Sequence, residues 1–280
     1  MIQEQSARIP GKRGAGNPTL IVAWSHDAGG IASSVIEFLD KKLGLEPFGE
    51  IEPVGFFSLD GVRIEDDLIQ FPESRFFSPS SADNIIILYS DAPSLDHYRF
   101  LNTILDFARD NFKVKELYTV GGIVSASAHL SPRRVFAVVN RRELKGELAP
   151  YGVELDVDYR TPAGSMPTLS SFLLWVAKRR GIPGCGLWVN VPFYLSALAD
   201  PIASKCILEV LDRKFELGLD FRELDLEIAK LNEDLEQLMR RDPDLSRHIQ
   251  MLERGIALSE DEGEKLAQEV AKFFLTKAPG

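Results

Sequence analysis

The chain has 280 residues, 45% hydrophobic and 26% charged. That mix excludes a wholly disordered chain, a collagen and a disulfide-stapled mini-protein, and the length suits one large domain, or one large and one small. The formal net charge of −10 argues against a nucleic-acid binder or a protein held on an anionic membrane, because both partners need a positive surface.

Residues 1–17 read as a flexible tail. The run Gly11-Lys-Arg-Gly-Ala-Gly16 matches neither phosphate-loop pattern and precedes the first strand, where a phosphate loop follows one. From Thr19 the chain alternates strands and helices. The continuous apolar run at 19–24 predicts a strand buried on both faces, and Ser25–Gly30 forms the turn after it. Apolar residues at 31, 35, 38, 39 and 43 predict a helix over 31–44. Further strands are predicted at 54–59, 85–90, 117–122 and 135–140, with a helix over 95–111. The acidic alternation of 153–160 suggests an edge strand. A turn-rich loop over 161–170 precedes a helix at 171–181, then a strand at 185–191 and a helix at 201–218.

This pattern predicts an α/β fold, a three-layer α/β/α sandwich over 18–218. Its sheet is mixed, because the links around 135–140 are too short for helical crossovers. No strand is expected after Val191. Over 219–241, Leu224, Ile228, Leu231, Leu235 and Leu238 form an apolar seam behind a capping box of Asp220 and Glu223. Helices around 245–252 and after a Ser259–Glu262 capping box complete a C-terminal helical portion, 219–280. The seam is too short for an independent coiled coil, so it docks on the body or on another subunit.

Candidate chemistry gathers at the strand ends. Ser25, Asp27, Gly29 and Gly30 follow the first strand, Asp91 follows another, and Gly121 and Gly122 follow a third. Open α/β sheets bind ligands at such ends, so these residues form a candidate ligand rim. The structural alternative is that Asp27 and Asp91 cap helices and the glycines make tight turns. His26, His97, His129 and His248 form no metal motif, no serine sits in a nucleophile elbow, and Cys185 and Cys206 read as reduced thiols. No catalytic residue, metal or cofactor is therefore assigned. Trp188 and Tyr194, with the leucine seam, are candidate interface residues. With no signal peptide and no long apolar run, the expected location is the cytoplasm.

Three stretches together resemble the proteasome assembly chaperone family in its prokaryotic branch. They are PTLIVAWSHDAGGIASSVIEFL at 18–39, the Val120-Gly121-Gly122 turn, and AGSMPTLSSFLLWVAKRRGIPGCGLWVNVPFY at 163–194. The stretch 200–231 resembles the family's next helix and its acidic linker. The resemblance implies a nucleoside-phosphorylase-like core with C-terminal helices and a non-catalytic, chaperone-like role. Some archaeal relatives dock on the proteasome by a tail with a penultimate tyrosine, which the ending Leu275–Gly280 lacks. Two functional classes follow. The first is a homo-oligomeric protein that binds another protein. The second is a small-molecule enzyme of nucleoside phosphorylase or hydrolase type, using the rim near Asp27, Asp91 and Gly121.

Overall fold

A computed structural model describes residues 2–3, 17–58, 62–65, 67–161 and 167–277. Most of the expected tail, part of the 161–170 loop and the last three residues lie outside the described residues. Ten strands form: β1 (Ile2–Gln3), β2 (Thr19–Trp24), β3 (Leu45–Ile51), β4 (Arg63–Glu65), β5 (Leu68–Gln70), β6 (Ser74–Pro79), β7 (Ile85–Ser90), β8 (Glu116–Ser125), β9 (Val135–Val139) and β10 (Gly184–Pro192). Eight of them make one sheet in the order β1-β3-β6-β7-β2-β8-β10-β9, and β4 and β5 pair as a separate hairpin. The central strands β7, β2, β8 and β10 run parallel. The flanking pairs β1–β3, β3–β6, β6–β7 and β9–β10 are antiparallel. The sheet is mixed, as expected.

The continuous apolar strands are buried on both sides because alternate residues feed two separate cores. In β2, Ile21 and Ala23 join the core on one face, while Leu20, Val22 and Trp24 join the other. Helices α1 (Ile31–Leu43), α3 (Leu144–Leu148) and α5 (Pro201–Phe215) cover the first face. Helices α2 (His97–Phe112) and α4 (Leu169–Arg179) cover the second.

Two expected strands differ. In 54–59, Gly55 turns the chain at φ 87° and Val54 stays 75% exposed. Phe56 and Phe57 instead pack on Phe100 of α2, with ring centroids 5.0 and 5.8 Å away. The apolar run anchors a loop, and the strand is β3, disguised by Pro47 and Gly49. These sit at a bulge against β6, where proline is tolerated. A side chain at Gly49 would meet the Phe107 ring at 2.9 Å, so the glycine gives that ring its seat. In 153–160 only Glu154 pairs, through two backbone bonds to Val135 and Ala137 of 2.7 and 2.8 Å.

Helices α6 (Arg222–Arg241), α7 (Pro243–Glu253) and α8 (Glu260–Lys277) end the chain, and no strand follows β10 among the described residues. The Asp220 box does not close: Asp220 takes the Arg222 amide and guanidinium, and Glu223 reaches Lys41 and Lys42 of α1. A cross-helix pair outcompetes the local cap there. The Ser259–Glu262 box does close, with reciprocal bonds of 2.9 and 3.3 Å.

One buried ion pair joins β9's approach to α5. The Arg133 guanidinium meets Asp200 Oδ2 at 2.9 to 3.0 Å, and both side chains are wholly buried. Asp200 Oδ1 caps α5 by accepting from the Ile202 and Ala203 amides. Arg133 Nη1 donates to the Ser131 and His129 carbonyls. Removing one partner leaves a buried, uncompensated charge, so Asp200→Ala is expected to lower unfolding free energy by roughly 3–5 kcal/mol. The double change Arg133→Met with Asp200→Leu should recover much of that loss. Urea midpoints at constant m-value check both.

Candidate functional site

Neighbouring strands β7, β2 and β8 bring the three predicted stretches side by side. Gly121 and Gly122, however, lie inside β8, paired with Trp188 and Val189 of β10, and not in a turn after the strand as expected. The two strand-end turns that remain serve different ends. After β2 the chain rises into α1 on one face. After β7 it passes to α2 on the other. Their divergence opens a crevice at this switch point, where open α/β sheets characteristically hold ligands.

Asp27 turns away from that crevice, toward β8. Its Oδ2 accepts from the Gly122 amide at 2.6 Å, and its carboxylate accepts from the Ala32 amide at 3.2 to 3.3 Å. It therefore caps α1 and also ties that helix to the central sheet. Burial pushes the Asp27 carboxyl above the usual carboxylate range, against the amide bonds that pull it down. Gly122 is required for this approach: a Cβ there would lie 1.9 Å from the Ala28 carbonyl oxygen. At Gly121 it would meet Asp27 Oδ2 at 3.3 Å.

Gly29 has φ 75° and Gly30 φ 55°. Both Gly29 backbone groups are engaged, its amide with the Ser196 carbonyl at 2.8 Å and its carbonyl with the Asp200 amide at 3.0 Å. These glycines admit the 196–200 turn, and the helix N-terminus is filled by Asp27.

Asp91 caps no helix, since α2 starts at His97 after Asp96. Its Oδ2 accepts from the Glu73 amide at 3.0 Å, and its Oδ1 accepts from the Ser25 hydroxyl. Ser25 Oγ also lies 2.7 Å from His26 Nδ1, which stands 3.5 Å from Asp91 Oδ1. A nucleophile relay needs the imidazole to bridge hydroxyl and carboxylate through its two nitrogens. Here the hydroxyl bonds the carboxylate itself, and both face the same nitrogen. The crevice beside them has a volume of about 430 Å³ and also meets Ser33, Glu73, Arg75, Phe77 and Tyr89. Asp27 and Gly121 are not among its walls. Strand β6, and with it Arg75 and Phe77, carries no continuous apolar run and is not among the strands expected from the sequence. Among the described residues, no group of His, Cys, Asp and Glu side chains is placed to hold a metal ion.

Most of the candidate interface residues lie inward, with Trp188 and Ile228 half-buried. Leu224, Leu231, Leu235 and Leu238 are buried and share the core of the α1 and α5 face. Trp188 sits in β10 between Gly121 and Phe136. Tyr194 is 2% exposed. Its hydroxyl accepts from the His129 amide at 2.7 Å and lies 3.0 Å from His129 Nδ1. Burial, helped by the Arg133 charge, pushes His129 down to about 4.

Two outcomes follow. Gly122→Ala is expected to cost roughly 1–3 kcal/mol of stability, and Gly121→Ala clearly less, as denaturant midpoints will show. His129 is neutral in the folded protein yet protonates at an ordinary pH once unfolded. Its contribution is therefore complete above about 6.5 and is lost as pH falls from there to about 4. A pH series of urea melts should show that slope, and His129→Gln should flatten it.

The fold has recognisable relatives. A Mycobacterium tuberculosis protein of unknown function superposes with a TM-score of 0.75 at 19% identity, covering 96% of both chains. A Mycobacterium tuberculosis proteasome-assembly chaperone homologue gives 0.68 at 17% identity, over 82% of this chain and 99% of its own. Pyrococcus furiosus PbaB, an archaeal proteasome activator, gives 0.67 at 22% identity, over 85% and 98%. The PAC2 family model matches residues 20–239, from the first buried strand to the end of the leucine seam, and the chain belongs to the PAC2 family.

Proposed function

We propose that this chain is a non-catalytic, homo-oligomeric binding protein that acts in a chaperone-like way on another protein. The observation that carries the reading is an aromatic patch on the α2 and α4 face. Tyr98 and Trp175 are 52% and 46% exposed, and Leu95 beside them is 48% exposed. Phe172 lies between the two rings, with centroids 6.3 Å from Tyr98 and 5.7 Å from Trp175. The Arg179 guanidinium stands 5.1 Å over the Trp175 ring. Exposed tryptophan, tyrosine and arginine held rigidly together have the composition of binding hot spots. The leucine seam is buried within the chain, so this face is the better place for a second copy of the chain.

Two further facts support the reading. The Ser25–His26–Asp91 contacts do not have relay geometry, and two relatives are named for the proteasome, one as an activator and one as an assembly-chaperone homologue. A partner that is itself a subunit of a larger complex fits both names. No helix among the described residues is long and apolar enough to cross a membrane.

Light scattering at micromolar concentration is expected to give a multiple of the chain mass. The double variant Tyr98→Glu with Trp175→Glu should give the mass of one chain with unchanged circular dichroism. A native protein that is only monomeric would end the homo-oligomer reading. Purified protein should neither hydrolyse nor phosphorolyse nucleosides above a buffer blank. Turnover that is lost on Asp91→Asn would move the function to the strand-end crevice.

A further inference from the structure

The switch-point crevice has a use that the protein-binding role does not supply. We propose that it binds an uncharged, polyhydroxylated small molecule, a sugar ring either free or carried by a nucleoside. At about 430 Å³ it falls within the usual range of small-molecule sites, roughly 300–1,000 Å³.

The floor is the α1 side of β6 and β7, where Arg75 pairs directly with Tyr89 in register. Tyr89 and Phe77 supply ring surface against which the C–H face of a sugar can pack. Hydroxyl partners surround that surface. The Tyr89 and Ser33 hydroxyls lie 2.8 Å apart, and Ser33 Oγ donates to the Ser25 carbonyl at 3.1 Å, so Tyr89 donates to Ser33 and the pair offers acceptor positions to ligand hydroxyls. The Asp91 carboxylate spends one bond per oxygen on Ser25 and Glu73. An ionised carboxylate has about four acceptor positions, so two remain for adjacent ligand hydroxyls.

Charge selects against anions. Arg75 is matched by Glu73 at 2.7 Å, and Asp91 then adds a formal negative charge on a chain already at −10. A phosphate or carboxylate ligand would meet that charge with no unmatched arginine or lysine on the crevice wall among the described residues. The α1 N-terminus is already partly neutralised, because the Asp27 carboxylate accepts from the Ala32 amide there.

Isothermal titration of the full-length protein tests the assignment with glucose, ribose, adenosine, uridine and adenosine monophosphate as probes. Saturable binding of at least one uncharged probe is expected. Free sugars alone would point to a free sugar, and adenosine or uridine alone to a nucleoside. Asp91→Asn should weaken that binding by about tenfold or more. Because Asp91 also holds the Glu73 amide, Tyr89→Phe serves as a second variant that keeps those bonds while removing a hydroxyl partner from the crevice, and a clear loss is expected. Three results would overturn the proposal: no binding of any uncharged probe up to about 10 mM, a range that would still register millimolar affinity; adenosine monophosphate binding as tightly as adenosine; or affinity unchanged in both variants. The inference is independent of the partner-binding role, since the Tyr98 and Trp175 double variant should leave probe binding intact.

Discussion

A single carboxylate sets the centre of this molecule. Asp27 must leave water to reach the Gly122 amide, a costly step for an ionised group unless hydrogen bonds replace the lost hydration. Backbone amides from β8 and from the first turn of α1 supply that replacement. The same contact fixes where α1 begins and how closely it approaches the sheet. It also settles the side of the turn on which Ser25 stands, and so the shape of the crevice wall. Gly122 is the other half of the constraint, because any side chain would collide with the Ala28 carbonyl.

Much of the architecture was legible in the sequence, because burial on both faces writes itself as continuous apolar runs. The runs 19–24, 85–90 and 185–191 became β2, β7 and β10, and helix periodicity located α1, α2, α4 and α5. The failures have one cause. A hydrophobic run reports burial and not hydrogen-bond pairing, so Phe56 and Phe57 looked like a strand while serving as loop anchors. Conversely, β3 and β6 carry proline, glycine and polar residues at a bulge and at the sheet's flank, where the apolar signal fades.

The rim shows a subtler limit. Asp27 and Asp91 occupy equivalent places in the sequence, each just past a buried strand, and capping chemistry suits both. Their roles part only in three dimensions: Asp27 faces β8 and is consumed by backbone amides, while Asp91 faces the crevice. The pair Gly121–Gly122 within a strand was the usable sign, since adjacent glycines in a strand mark a close approach of other backbone. Arg75, Tyr89 and Ser33 gave no local signal, because cross-strand register brings them together.

The two faces of the sheet are clothed unequally. On the α1 and α5 side, α6 packs on α5, α7 on α6, and α8 on the Phe193–Leu195 turn, so the apolar seam is already consumed in that core. Over the opposite side stand α2 and α4, with the Phe56–Phe57 loop against α2, and the exposed rings of Tyr98 and Trp175 lie there. Closed rings of three or more copies need two different complementary surfaces on each subunit, whereas a single self-complementary surface closes at two. If association runs through the thin side, the thick side fixes the symmetry by taking itself out of use. The assembly would be a two-fold pair with its C-terminal helices at opposite outer ends and its two crevices held apart by the interface.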